Sequence, residues 1–164
     1  MIIISDTTPI ISLLKIKHLD LLQKLFGEIW IPNAVYEELI SNKKFSNEAR
    51  QIMEVEYIEK VQVGDSKSVR LLQRATGLDA GESEAIILSD EKKADILLMD
   101  EAKGRLVAKQ MGLTIMGTVG ILMTAYEEQL LTSLEIEQCI EALRENGRHI
   151  SEKLYQQLRD KFRE

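Results

Sequence analysis

The sequence predicts an α/β fold of three layers, α/β/α, with a five-stranded, mostly parallel sheet between helices. Two observations predict it. Short β-branched runs alternate with stretches of helical period, the pattern of strands joined by helical crossovers. The runs Ile2–Ile4 and Ile96–Met99 are apolar without alternation, as strands buried on both faces are. Acids follow the first and fourth of these strands, which would be neighbours in an order such as 3-2-1-4-5, and ligands gather beyond the carboxyl ends of such strands.

The elements follow in turn. Ile2–Ser5 is the first strand. Thr8 as N-cap and Pro9 at the first helical position start a helix through Leu14. Leu19–Phe26 is a second short helix, Glu28–Ile31 the second strand, and Pro32 opens a helix through Leu39. Ser46–Val55 and Ser66–Thr76 are helices on either side of a strand near Tyr57–Val63. Asp79–Ser89 is a helix, Ile96–Met99 the fourth strand, Arg105–Met111 a helix and Leu113–Met116 the last strand. Thr118–Glu127, Ser133–Asn146 and Ser151–Phe162 are helices, with Gly147 as a C-cap and Ser151 as an N-cap. No Pro/Gly/Ser-rich linker or internal repeat interrupts the chain. One domain over 1–164 is expected, with a core at 1–125 and C-terminal helices at 133–162.

Composition narrows the function. At 164 residues, 45% hydrophobic and 29% charged, the chain can bury about two-thirds of its unfolded surface. Cys139 is the sole cysteine, which fits a reducing compartment. The apolar start is too short for a signal peptide, and no run reaches the roughly 18–20 residues that span a bilayer, so a cytoplasmic location is expected. A net charge of −6 argues against a nonspecific nucleic-acid coat protein. It does not argue against a nuclease that gathers acids around a cation. His18 and His149 have no cysteine or carboxylate at ligand spacing, which disfavours a Cys/His zinc site. Both are expected at the surface. No Walker A, G-x-S-x-G or G-x-G-x-x-G motif is present.

The acids carry the remaining signal. Asp6 follows a buried strand, and with Thr8 as the helix cap a cap at Asp6 is redundant. Function is the better account of it. Asp100-Glu101 ends the fourth strand, and adjacent acids there repel unless solvated or bridged by a cation. Glu82 lies three residues after Asp79, the spacing of a capping box, so capping competes with a site role. Glu84 lies about 200° around the helix from Glu82, so only one of them faces a shared pocket, and Glu82 is the choice. Glu38, beside Glu37, reads on local pattern as part of a solvated helix face.

Five blocks resemble the PIN domain family, most closely a little-characterised prokaryotic branch of it. They are Ser5-Asp6-Thr7-Thr8-Pro9-Ile10-Ile11-Ser12-Leu13, Pro32 through Leu39, Leu78 through Ile86, Leu97 through Ala108, and Gly117 through Leu122. They occur in order across residues 1–125. The resemblance implies a five-stranded parallel sheet with acids converging at the strand carboxyl ends. It also implies metal-dependent hydrolysis of phosphodiester bonds in single-stranded RNA. Asp6, Glu38, Glu82, Asp100 and Glu101 would be both catalytic and metal-binding, with Mg2+ or Mn2+ as the cation. Two departures stand out. The branch's usual Asp-Asp is Asp100-Glu101 here, and Met99 stands where PIN domains often carry Thr or Ser. Which of the two acids is the direct ligand stays open, with Asp100 favoured.

Around those acids, Thr7, Thr8 and Thr118 are candidates to orient a water or phosphate, and Lys103 and Arg105 to hold the substrate backbone. Each has a bland alternative as a helix-start or solvated residue. If the acids crowd together without metal, at least one carboxyl pKa should be raised. Partners implied by the resemblance are single-stranded RNA, an antitoxin protein if the chain is the toxin of a toxin–antitoxin module, and a second copy through the helices after residue 118. One alternative keeps the fold but binds RNA or protein without cutting. Two other strand-end-aspartate folds fit less well. A haloacid-dehalogenase-like phosphatase needs an aspartate where Thr8 stands, and a receiver domain wants a lysine where Met116-Gly117 stands.

Overall fold

Ile3 and Ile4, neighbours in the first strand, are almost wholly buried, yet they belong to two different apolar clusters on opposite faces of the sheet. Leu97 and Leu98 divide in the same way. Successive side chains of a strand alternate faces, so strands with no polar residue must be covered on both sides. The computed structural model describes residues 1–147 and 150–162 and has this three-layer arrangement. His149 lies outside the described residues.

The strands are β1 (Ile3–Ser5), β2 (Ile29–Pro32), β3 (Ile58–Val61), β4 (Ile96–Leu98) and β5 (Ile115–Met116). They form one sheet in the order β3-β2-β1-β4-β5, with every neighbouring pair parallel. The expected order is therefore present. The helices are α1 (Thr7–Lys15), α2 (Leu21–Phe26), α3 (Asn33–Ser41), α4 (Ser46–Glu54), α5 (Ser66–Thr76), α6 (Ala80–Lys92), α7 (Ala102–Gln110), α8 (Thr118–Glu127), α9 (Ser133–Glu145) and α10 (Glu152–Phe162). A short 3₁₀ turn, Lys43–Phe45, capped by the Asn42 side chain, was not expected from the sequence.

The larger cluster joins α1, α2, α3, α8, α9 and α10 to one face of the sheet, with Leu13, Leu22, Leu39, Leu122, Ile136 and Leu158 among its members. Cys139 sits in it as a buried apolar filler. On the other face Ala85, Ile86 and Leu88 of α6 and Ala108 of α7 pack on Ile4, Leu97 and Met99. His18 is half-buried, and its backbone N–H closes the turn after α1 on Leu13 O.

The first helix corrects an expectation. Thr8 is not its N-cap. The chain turns at Asp6, extended at φ −79 and ψ 174, and the helix begins at Thr7. Pro9 then falls third in the helix, still among the first four residues whose N–H has no intrahelical acceptor, so the missing donor costs nothing there. Likewise Pro32 closes β2 in the N-cap position of α3 rather than opening it from inside. Both shifts bring functional candidates closer to the strand ends.

Candidate active site

Asp6 is 4% exposed and sits on the last turn of chain between β1 and α1. Its backbone N–H continues the sheet by donating to Leu98 O at 2.9 Å. The N-cap position would suit its side chain for capping, yet the carboxylate makes no side-chain cap bond. Burial raises its pKa from 3.8 to about 7, with smaller upward pushes from Glu82, Asp79 and Glu38, opposed in part by the Thr7 N–H. The raised pKa expected of crowded acids is thus present. Its leading cause is desolvation rather than mutual repulsion.

Glu38 comes from α3, which packs against α6 and α1. Its Oε2 accepts the Thr7 hydroxyl at 2.8 Å, so Thr7 ties the start of α1 to the acid of α3. Close approach to α6 depends on Gly81. A Cβ there would stand 3.2 Å from Glu38 Oε2 and 3.6 Å from Asp79 Oδ1.

Glu82 is both things its spacing allowed. It completes the capping box of α6, accepting the Asp79 N–H at 3.0 Å while its own N–H donates to Asp79 Oδ1 at 2.8 Å. It is also half-buried, with its pKa raised by burial first and then by the charges of Asp79, Glu101 and Glu38. Glu84 points elsewhere: its Oε1 accepts the Ala34 N–H at 3.1 Å.

The pair after β4 divides. Asp100 has both oxygens committed to Thr118, Oδ1 to the backbone N–H at 2.7 Å and Oδ2 to the hydroxyl at 2.6 Å. Since Thr118 opens α8, Asp100 fastens β4 to that helix. Glu101, exposed in the N-cap position of α7 and making no cap bond, is the member whose charge reaches Glu82. Both border a cavity of about 380 Å³ with Thr118, Val119 and Ile150.

Arg105 Nη1 donates to Met99 O at 3.0 Å, and a Cβ at Gly117 would stand 2.7 Å from that nitrogen and 2.9 Å from Asp100 Oδ1. Lys103 Nζ lies close to Gly77. Among the described residues no lysine or arginine forms an ion pair with Asp6, Glu38, Asp79, Glu82, Asp100 or Glu101. Thr8 is half-buried between Thr7 and Pro9, with no side-chain hydrogen bond among the described residues. Asp79, which the sequence offered only as a cap, joins the acids because its capping bond to Glu82 also sets its charge against Asp6.

A family model described as DUF3368: PIN domain matches residues 2–164. The chain belongs to the PIN domain family. Comparison with curated proteins and with solved structures returned no match. PIN domains are typically nucleases, and in this PIN domain Asp6 and the Asp100–Glu101 pair follow the carboxyl ends of the neighbouring strands β1 and β4.

Do these residues suit a divalent cation? The donors are hard carboxylate oxygens, the set magnesium and manganese take. A carboxylate as buried as Asp6, with no cation beside it, gains most from one. Among the described residues no three acids are yet drawn into ligating positions around one point. The restraints are local: Thr7 holds Glu38, and the Asp79 backbone holds Glu82. The donor chemistry fits such a cation, while the described side chains do not form a three-acid set.

Proposed function

We propose that this PIN domain is a metal-dependent endoribonuclease that hydrolyses phosphodiester bonds of single-stranded RNA, with Mg2+ or Mn2+ held by Asp6 and its neighbouring acids. The observation that carries the reading is Asp6: a buried carboxylate, flanked by other acids, with no basic side chain paired to it among the described residues.

Asp6 would be the innermost ligand, and Glu38, Glu82 and Glu101 would complete the set, directly or through water. When bound, the cation neutralises phosphate charge and lowers the pKa of water. The protein's own groups do the rest. Thr7 fixes the Glu38 carboxylate and leaves its second oxygen open. Asp100, clamped by Thr118, keeps two of its roughly four acceptor sites free to orient a water or the phosphate. Lys103 and Arg105, just past the acids on α7, would steady the RNA backbone. In the reaction, water oxygen forms a new bond to phosphorus, the bond to the leaving ribose oxygen breaks, and that oxygen takes up a proton.

A second reading keeps the RNA or protein binding and drops the cleavage. It is favoured by the lack of a preassembled set of three acids among the described residues. Incubating a panel of single-stranded RNAs with the protein, with and without Mg2+ or Mn2+, separates the two when Asp6→Asn is run beside it. Metal-dependent cleavage that Asp6→Asn abolishes supports the enzyme. Cleavage indifferent to Asp6→Asn, or none with either metal, removes it.

The cellular role proposed is the toxin of a toxin–antitoxin module, acting in the cytoplasm as a homodimer through the helices after residue 118. Exposed Leu134 on α9 and Leu154 on α10 support such a contact, and no described helix is long and apolar enough to cross a membrane. Light scattering at high concentration tests the dimer: a monomer would end it.

A further inference from the structure

A second concavity opens beside the acids, past the carboxyl ends of β2 and β3. Ile4 pairs with Trp30, and Pro32 pairs with Val61. Continued along the strands, this register sets Asp6, Pro32 and Val61 level, with Asn33 and Gln62 one residue beyond. At about 4.8 Å per strand, Gln62 stands roughly 10 Å across the sheet from the Asp6 strand. The cavity, about 280 Å³, is lined by Asn33, Gln62, Ser66, Arg70, Gln73 and Glu84. Glu84 lies on α6, the helix that also carries Glu82, so one helix supplies an acid to the candidate site and an acid to this cavity.

These side chains have hydrogen-bonding capacity that the fold does not use. Among the described residues Asn33, Gln62, Ser66, Arg70 and Gln73 make no side-chain hydrogen bond, ion pair or ring contact. Glu84 spends Oε1 on the Ala34 N–H and leaves Oε2 without a donor. Three carboxamides, an acceptor oxygen and a guanidinium thus converge on a space at the small end of ligand sites, the size for one base rather than a folded partner. Carboxamides read base edges in pairs of hydrogen bonds, and a carboxylate accepts from exocyclic amino groups. Arg70 can meet a phosphate or stack on a base.

We propose that this cavity is a base-reading subsite for the RNA strand, taking a nucleotide next to the one at the acids. Glu84 and the carboxamides make it select bases with an exocyclic amino group over uracil. This rests on the ribonuclease reading above.

The test uses the full chain carrying Asp6→Asn, with Mg2+ present, and fluorescence anisotropy of labelled oligo(A), oligo(C) and oligo(U). The adenine and cytosine strands are expected to bind about 5-fold or more tighter than uracil. Glu84→Gln, which keeps an acceptor for Ala34, and Gln73→Ala should each narrow that gap. Arg70→Ala, at an exposed residue with no partner to lose, should weaken all three. Equal binding of the three strands, or a gap untouched by Glu84→Gln and Gln73→Ala, overturns the subsite. Cleavage of the same strands by the unsubstituted protein separates the two proposals. Cleavage with no base preference sinks the subsite alone, whereas neither cleavage nor binding sinks both.

Discussion

Asp6 and Asp100 follow adjacent parallel strands and stand at the same edge of the sheet, yet their carboxylates are treated in opposite ways. Asp100 receives two short hydrogen bonds from Thr118, and its charge serves to anchor α8. Asp6 is more deeply buried, receives no side-chain donor among the described residues, and has a pKa pushed up to about 7. The contrast separates an acid whose bonds anchor a helix from one whose charge is disfavoured by burial and by neighbouring acids. A buried charge is costly without a partner of opposite sign, so a carboxylate set among other acids with no cation paired to it among the described residues is a candidate to take a ligand cation.

The largest expected effect follows directly. Asp6→Asn should lower metal-dependent RNA cleavage on the order of 1000-fold, about 4 kcal/mol of transition-state stabilisation, in single-turnover assays. Asp100→Asn should cost less. If the two losses are equal, the contrast between the acids is not functional.

Next in size is a pH effect on folding. The folded Asp6 holds its proton up to about pH 7, whereas an unfolded aspartate releases it near 3.8. A group with its folded pKa raised contributes stability that is complete below the unfolded value and is lost as pH rises through the folded one. Without divalent cations, Asp6→Asn should therefore match the natural protein near pH 4. At pH 8 it should be the more stable by on the order of 2–4 kcal/mol in denaturant titrations. Glu82, whose pKa burial also raises, is present in both proteins. A gap that shrinks as pH rises would contradict the assignment.

The smallest effect belongs to the other aspartate. Thr118→Val removes the hydroxyl that Asp100 accepts and should lower stability by about 1–2 kcal/mol, while cleavage falls less than about 10-fold. A cleavage loss as deep as that of Asp6→Asn would make Asp100 the principal ligand, and so would sharpen the comparison in the opposite sense.

The fold was legible because its signals were local and concordant. Unbroken apolar strands, turn residues and helical periods agree, and the span of α5 and of α8 can be read from the sequence without error. Boundaries slipped where two residues competed for one role, as Asp6 and Thr8 did at the start of α1. The site was legible in part. Asp6 stands out because a buried strand leads straight to it, but Asp79 was hidden by a capping box that fully accounts for it locally. That its charge also presses on Asp6 depends on how α6 packs against β1 and α3, which no short window contains. The Thr118 clamp on Asp100 joins residues 18 apart and likewise has no local signature. Of the strand-four pair, sequence favoured Asp100 as ligand while keeping both; Asp100 bonds Thr118 of α8, and the charge of Glu101 reaches Glu82.

A divalent cation is proposed to complete the cluster around Asp6. Calorimetric titration of Mn2+ into the metal-free protein near pH 7, repeated in buffers of different ionisation enthalpy, tests it most directly. Binding should release protons, because Asp6 is partly protonated there, and Asp6→Asn should abolish both the proton release and at least about 90% of the affinity. Manganese bound equally well by Asp6→Asn, with no difference in protons released, would contradict the account.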